Sequence, residues 1–266
     1  MKKTILITGS TDGIGLETAK MLVKEGHHVL IHGRNPSKLD SVKAMLDQVY
    51  PDAKVEGYVG DLSSLQEVEA LADAVTKQHG KLDVLINNAG VYNVPTITTK
   101  DNLDTRFVVN TIAPYLLTQK LLPLFDDSGR IVNLSSAAQA PVNLNALVSP
   151  DAKAADGQVY AQSKLAITMW SAHLAAELKG HGPLVVAVNP ASFLGSKLVK
   201  EAYGMDGNDL SIGADILVRA ALSDEFADAS GKYYDNDARR FSPPHSDALN
   251  ADNNAKVVAA IESVLS

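Results

Sequence analysis

Seven short apolar or β-branched runs recur along the chain, at residues 4–8, 28–32, 54–59, 82–87, 130–135, 184–189 and 231–235. Between them lie stretches with helical periodicity, at 14–25, 36–49, 64–79, 101–125, 160–179, 211–223 and 254–265. This alternation restricts the fold more than any other feature. A strand that returns to its sheet through a helix must pair in parallel, and a parallel sheet has to be covered on both faces. The early runs, TILIT and HVLIH, are nearly continuous in apolar residues, as a strand covered on both sides should be. Gly26, Gly80 and Gly180 stand where helix ends favour a left-handed residue. The expected fold is therefore α/β, a doubly wound parallel sheet of about seven strands with helices on both faces. No repeat, low-complexity tract or linker divides the chain, so residues 1–266 are expected to form a single domain.

Composition removes several classes of function. Net charge is −7 and no run of Lys or Arg occurs, which argues against nucleic acid or an anionic membrane surface as partner. There is no cysteine, which excludes disulfides, thiolate chemistry and Cys-based metal sites. No apolar run is long enough to span a bilayer, and MKKTILITG does not read as a signal peptide, so a cytoplasmic protein is expected. The seven histidines, His27, His28 and His32 among them, show no ligand spacing such as H-E-x-x-H, and no metal site is expected.

Between the first strand and the first helix stands TGSTDGIG, Thr8 to Gly15. Glycines at this junction let backbone N–H groups approach a diphosphate, and the helix dipole favours the same anion. Gly9, Thr11, Asp12, Gly13, Ile14 and Gly15 are the cofactor-binding candidates here. The second strand ends LIHGRNPSKL. A dinucleotide site usually carries an acidic residue at this place for the ribose 2′-hydroxyl. Here Gly33 and then Arg34 stand instead, and a cation suits a 2′-phosphate. The expected cofactor is NADP(H) in preference to NAD(H).

In YAQSK, Tyr160 and Lys164 are four residues apart and share one face of a helix. A tyrosine hydroxyl titrates near 10, and bringing it towards neutrality takes about 4 kcal/mol of stabilisation of the phenolate. A neighbouring ammonium supplies stabilisation of that sign. RIVNLSS ends a strand with Ser135 and Ser136, hydroxyls able to hold a substrate oxygen. In VVNTIAP, Pro114 has no N–H to give the Asn110 carbonyl four residues earlier, which leaves a free acceptor and a local kink. Such an acceptor can hold a water beside the lysine.

TGSTDGIG, NNAG at 87–90, Asn110, NLSS, YAQSK and NPAS follow one another in the order and spacing of the short-chain dehydrogenase/reductase family, which the chain resembles over almost its whole length. The order VNTIAPYLLT, RIVNLSS, YAQSKLA, SGKYYDN is similar to the retinol-dehydrogenase-like branch. The resemblance implies a Rossmann-like domain and a catalytic tetrad of Asn110, Ser136, Tyr160 and Lys164, with Lys164 and Tyr160 also reaching the cofactor. It implies that Asp61 and Leu62 line the adenine, that Asn88, Ala89 and Gly90 line the cofactor, and that Pro190 opens the nicotinamide segment. The family usually has Pro-Gly there followed by a hydroxyl residue. This chain has NPASFLGSKL, with Ala191 in place of Gly and either Ser192 or Ser196 as the hydroxyl.

The activity implied is an NADP(H)-dependent oxidoreductase acting on a small-molecule alcohol/carbonyl pair. The alternative is a non-catalytic NADP(H)-binding sensor or partner-binding protein; relatives of that kind lack the Tyr or the Lys, and both are present here. The strongly apolar helix KLAITMWSAHLAAEL resembles one that often builds dimers in the family, which makes a homo-oligomer possible. Residues 137–159, an insert of 23 residues, and 237–249 are expected to be irregular, the latter as surface loop.

Overall fold

The computed structural model describes residues 1–49, 53–151, 153–195, 199–200, 204 and 206–266. The order is β1 Thr4–Ile7, α1 Gly13–Lys24, β2 His28–Gly33, α2 Pro36–Val49, β3 Lys54–Val59, α3 Leu65–Gln78 and β4 Val84–Asn87. There follow α4 Thr105–Phe107, a π-turn Val108–Ile112, α5 Ala113–Leu121, β5 Arg130–Leu134, α6 Leu144–Val148, α7 Asp156–Glu177 and β6 Leu184–Asn189. The chain continues with α8 Leu210–Leu222, β7 Tyr233–Asp235, β8 Arg240–Ser242 and α9 Ala251–Leu265.

The strands form one sheet in the order β3-β2-β1-β4-β5-β6-β7-β8, parallel except for β8. β1 pairs on one side with β2 (Ile7 beside Ile31) and on the other with β4 (Ile7 beside Ile86). The winding reverses there, so the loops after β1 and β4 part and leave a crevice beyond the strand ends. Alternate residues of each strand serve opposite faces. Ile5, Ile7, Val84, Ile86, Val132 and Val186 pack under α1, α2 and α8, whereas Leu6, Leu85, Ile131 and Val185 pack under α3, α5, α7 and α9. Two-sided burial is the reason the strands read as unbroken apolar runs.

The structure departs from the sequence expectations in five places. The sheet has an eighth strand: residues 240–242 of the expected loop pair antiparallel with β7, and Phe241 packs on Phe226 and Tyr234. A three-residue strand is too short for a period-two pattern to show. The expected helix at 101–125 begins only at Thr105, where Asp104 caps it, and passes through the π-turn before α5. Pro114, just past the π-turn, lacks the N–H that a regular helix would need there. α7 begins at Asp156, four residues early, because buried Arg106 bonds both Asp104 and Asp156 and ties down that first turn. The insert also holds α6. Gly26 and Gly180 adopt left-handed φ of 81° and 84°, but Gly80 does not: α3 ends at His79 in extended backbone. α7 is also packed from within the chain. α9 crosses it, Trp170 is fully buried, and Tyr115 donates to Glu262 of α9. No helix among the described residues is long and apolar enough to cross a membrane.

His32 joins three strand ends. Its Nδ1 accepts from Gly9 N at 3.1 Å and its Nε2 donates to the Gly60 carbonyl at 3.0 Å. These roles require the neutral ring with the proton on Nε2. Burial pushes its pKa down to about 4. The unfolded chain, with an ordinary histidine near 6.5, therefore binds more protons below that pH. Stability from this group is complete above about 6.5 and is lost as pH falls to about 4, by up to about 3 kcal/mol. Urea unfolding of the native protein and of His32→Gln across that range tests this: the native protein should lose more stability than the variant, and equal losses would refute it.

Candidate active site

The site is built where β1, β4, β5 and β6 end. Asp12 caps α1, its carboxylate accepting from Gly13 N at 2.8 Å and pairing with Lys38 Nζ at 2.6 Å. Gly15 in the first turn lies against Gly9 O and the Asn88 amide so closely that a Cβ would overlap both. Only glycine lets this helix end approach the strands. The approach is locked by Thr8 and Asn88, residues 80 apart: Thr8 Oγ1 accepts from the N–H groups of Asn88 and Ala89, both at 3.1 Å, and Asn88 Nδ2 donates to Thr8 O and Gly9 O. The two segments read as cofactor-binding are thus one surface.

At one end of this surface Gly33 lies under Thr11, so that a Cβ at 33 would stand 2.6 Å from Thr11 Cγ2. Arg34 is exposed beside it, with no ion-pair partner among the described residues. Asp61 accepts from Ser63 N at 2.9 Å, and buried Leu62 follows it.

At the other end α7 brings in Tyr160 and Lys164. Lys164 is 3% exposed. Its Nζ donates to Leu134 O at the end of β5, at 2.7 Å, and stands 5.7 Å from the centre of the Tyr160 ring. Burial lowers its pKa to about 8. Ser135 and Ser136 have separate surroundings. Ser135 Oγ is buried against Thr168 and Lys164 O, holding α7 to β5. Ser136 lines the cavity, its Oγ accepting from Ala138 N at 3.1 Å. Asn110 sits in the π-turn, an element common at functional sites, and stands behind the cavity wall. Its side chain brackets the Val91 peptide, accepting from N at 2.8 Å and donating to O at 2.8 Å, and also donates to Ser163 Oγ. Gly90 separates Asn110 from Lys164: a Cβ there would lie 3.4 Å from Asn110 Oδ1 and 3.6 Å from Lys164 Nζ.

These parts line one cavity of about 480 Å³, running from Arg34 and Asp61 past Gly9–Gly15 and Asn88–Gly90 to Ser136, Tyr160 and Lys164. Pro190 and Ser192 close its far wall, with Ser192 Oγ donating to Asp237 at 2.6 Å. Ser196 lies outside the described residues. Four side chains that shape the site carry no spacing signal. His32 spans strand ends that are remote in sequence, and Arg106 reaches the start of α7 from 50 residues away. Ser163 holds Asn110, and Tyr92 lies against Tyr160 with ring centres 5.3 Å apart. Only Ser163 was within reach of a sequence argument, since it neighbours Lys164 in YAQSK.

The family model for short chain dehydrogenase matches residues 3–205. Human retinol dehydrogenase 13 is 30% identical over 251 residues, covering 88% of this chain and 76% of that protein. Among solved structures, a protein from Mycobacterium paratuberculosis superposes with a TM-score of 0.81 at 27% identity, over 98% of this chain and 92% of that one. A metagenomic short-chain oxidoreductase in complex with NADP superposes with a TM-score of 0.62 at 27% identity, over 82% and 90%. With the glycine loop, the Tyr160–Lys164 pair and the sheet order in place, the chain belongs to the short-chain dehydrogenase/reductase family of oxidoreductases, in its retinol-dehydrogenase-like branch.

Proposed function

We propose that this protein interconverts an alcohol and an aldehyde or ketone by hydride transfer, with NADP(H) preferred over NAD(H) and Tyr160 as general acid and base. The observation that carries the reading is the buried Lys164 ammonium beside the Tyr160 ring, at the end of a cavity that begins at the glycine loop. The residues present fit a phosphorylated dinucleotide. The α1 N-terminus is open to backbone approach at Gly15, which supports an anion there. A side chain at position 33 would displace Thr11, whose Cγ2 lies 2.6 Å from the Cβ position, and no carboxylate stands there for the ribose 2′-hydroxyl, whereas Arg34 is exposed at the cavity rim and can take a 2′-phosphate. The related oxidoreductase solved with NADP supports the same cofactor class.

When bound, the dinucleotide supplies or accepts the hydride. The protein's own groups do the rest. Ser136 orients the substrate oxygen from the cavity wall. In the reducing direction the Tyr160 hydroxyl gives its proton to that oxygen, and the Lys164 ammonium stabilises the phenolate left behind. Asn110 keeps the Val91 peptide and α7 in register, and its carbonyl, lacking a Pro114 donor, holds the water that returns a proton towards Lys164.

A panel of carbonyls and alcohols, followed by NADPH absorbance with both cofactors, tests the activity. Tyr160→Phe should lower turnover by about 10²- to 10⁴-fold while NADPH binding, followed by fluorescence, changes little. Arg34→Asp should raise KM for NADPH about tenfold or more and leave KM for NADH nearly unchanged. Lys164 carries its proton below about 8 and loses it above. Carbonyl reduction should accordingly be flat below that pH and fall with rising pH beyond it, by up to tenfold per unit, in a profile of kcat/KM.

A further inference from the structure

We propose that Asp237, which does not line the cavity, is a positioning residue that holds the nicotinamide-side turn 189–192 in a backbone conformation Ala191 disfavours. The inference rests on the cofactor reading above for its functional consequence, and on the backbone alone for its physical one.

Ala191 has φ of +114°, a region that residues with a Cβ rarely enter and glycine enters freely. Nothing in Ala191 itself favours this. The residues around it are tied to the turn between β7 and β8. One Asp237 oxygen accepts from Ser192 N at 2.9 Å. The other accepts from Ser192 Oγ at 2.6 Å and from Asn189 Nδ2 at 2.9 Å. Asn189 Nδ2 also reaches Asp235 at 2.9 Å, and Asn236 Nδ2 donates to Pro190 O at 2.9 Å. Residues 189, 190 and 192 are thus all held from the 235–237 side, and Ala191 takes the conformation that remains. Burial works against charge on Asp237, but the Ser192 and Asn189 donors outweigh it and hold the carboxyl below its ordinary range. Three charge-assisted bonds converging on one short turn can stabilise a conformation that its own residue opposes.

If the carboxylate enforces the conformation, glycine at 191 helps only while Asp237 is present. Glycine also loosens the unfolded chain, but that effect is the same in both backgrounds and cancels in a double-mutant cycle. The cycle is Asp237→Ala, Ala191→Gly and the pair, read first by thermal melting of the cofactor-free protein. The change in Tm caused by Ala191→Gly should be about 2–4 °C more favourable with Asp237 than without it. Asp237→Asn, which keeps one acceptor, should give a smaller difference of the same sign if the alanine variant melts too early to measure. Equal changes in the presence and absence of the carboxylate overturn the proposal.

The second reading is NADPH fluorescence titration. Asp237→Ala should weaken binding about tenfold, and adding Ala191→Gly should recover part of the loss, since glycine visits the required φ without the carboxylate. A loss that Ala191→Gly does not relieve assigns Asp237 a merely structural role and overturns the proposal. Absence of NADPH binding by the native protein overturns the cofactor reading instead, and the melting cycle then decides the role of Asp237 by itself.

Discussion

The candidate active site depends on one buried cation. Lys164 is almost fully enclosed, and burial disfavours its charge enough to bring its pKa to about 8. An ammonium in such a place needs acceptors, and the nearest is the carbonyl that ends β5. That bond fixes how far α7 slides along the sheet. Ser135 at the end of β5 repeats the constraint by bonding the Lys164 carbonyl and the Thr168 hydroxyl, and Thr111 bonds the carbonyl of Ser163 from the π-turn. Tyr160, one turn earlier, is placed by the same register. The cation 5.7 Å from the Tyr160 ring is also the group whose needs decide where that ring stands.

The same economy holds at the other end of the cavity. A parallel sheet leaves its strand ends apart at the winding reversal, and the loops there must be joined by side chains. Thr8 and Asn88 join β1 to β4, and His32 joins β1, β2 and β3 through a tautomer that exists only while the ring is neutral. Each of these buried polar groups would cost about 1–3 kcal/mol if left without its partner. The helix end at Gly15 is therefore held against β1 and β4 by bonds within the chain, an arrangement that suits preorganised binding.

Much of this was legible before the fold was known. The parallel sheet followed from the alternation of apolar runs. Tyr160, Lys164 and the glycine loop followed from spacings of a few residues, because helix periodicity and strand–turn–helix geometry are local. The features that were not legible join segments distant in sequence. Arg106 meets Asp156 only because α4 packs beside α7, and no spacing rule reaches across 50 residues. α9 packs on α7, a contact that the spacing within neither helix shows. The short strand β8 is visible only from its partner: one inward Phe241 makes no pattern until β7 lies beside it.

The sequence by itself determined the class of fold, the family and the residues able to do chemistry. These rest on local periodicity and on residue types whose pKa values and backbone freedom are intrinsic. The tertiary structure alone decided which residues those groups depend on. It placed Asn110 behind the cavity wall against Val91, turned the Ser135 hydroxyl onto Lys164 O and Thr168 while Ser136 lines the cavity, turned the Ser192 hydroxyl onto Asp237 and put Ala191 at a φ that its own side chain opposes. Those outcomes follow from packing and from the requirement that buried polar groups find partners. That requirement is met by whatever the fold brings near, and it leaves no trace in the spacing along the chain.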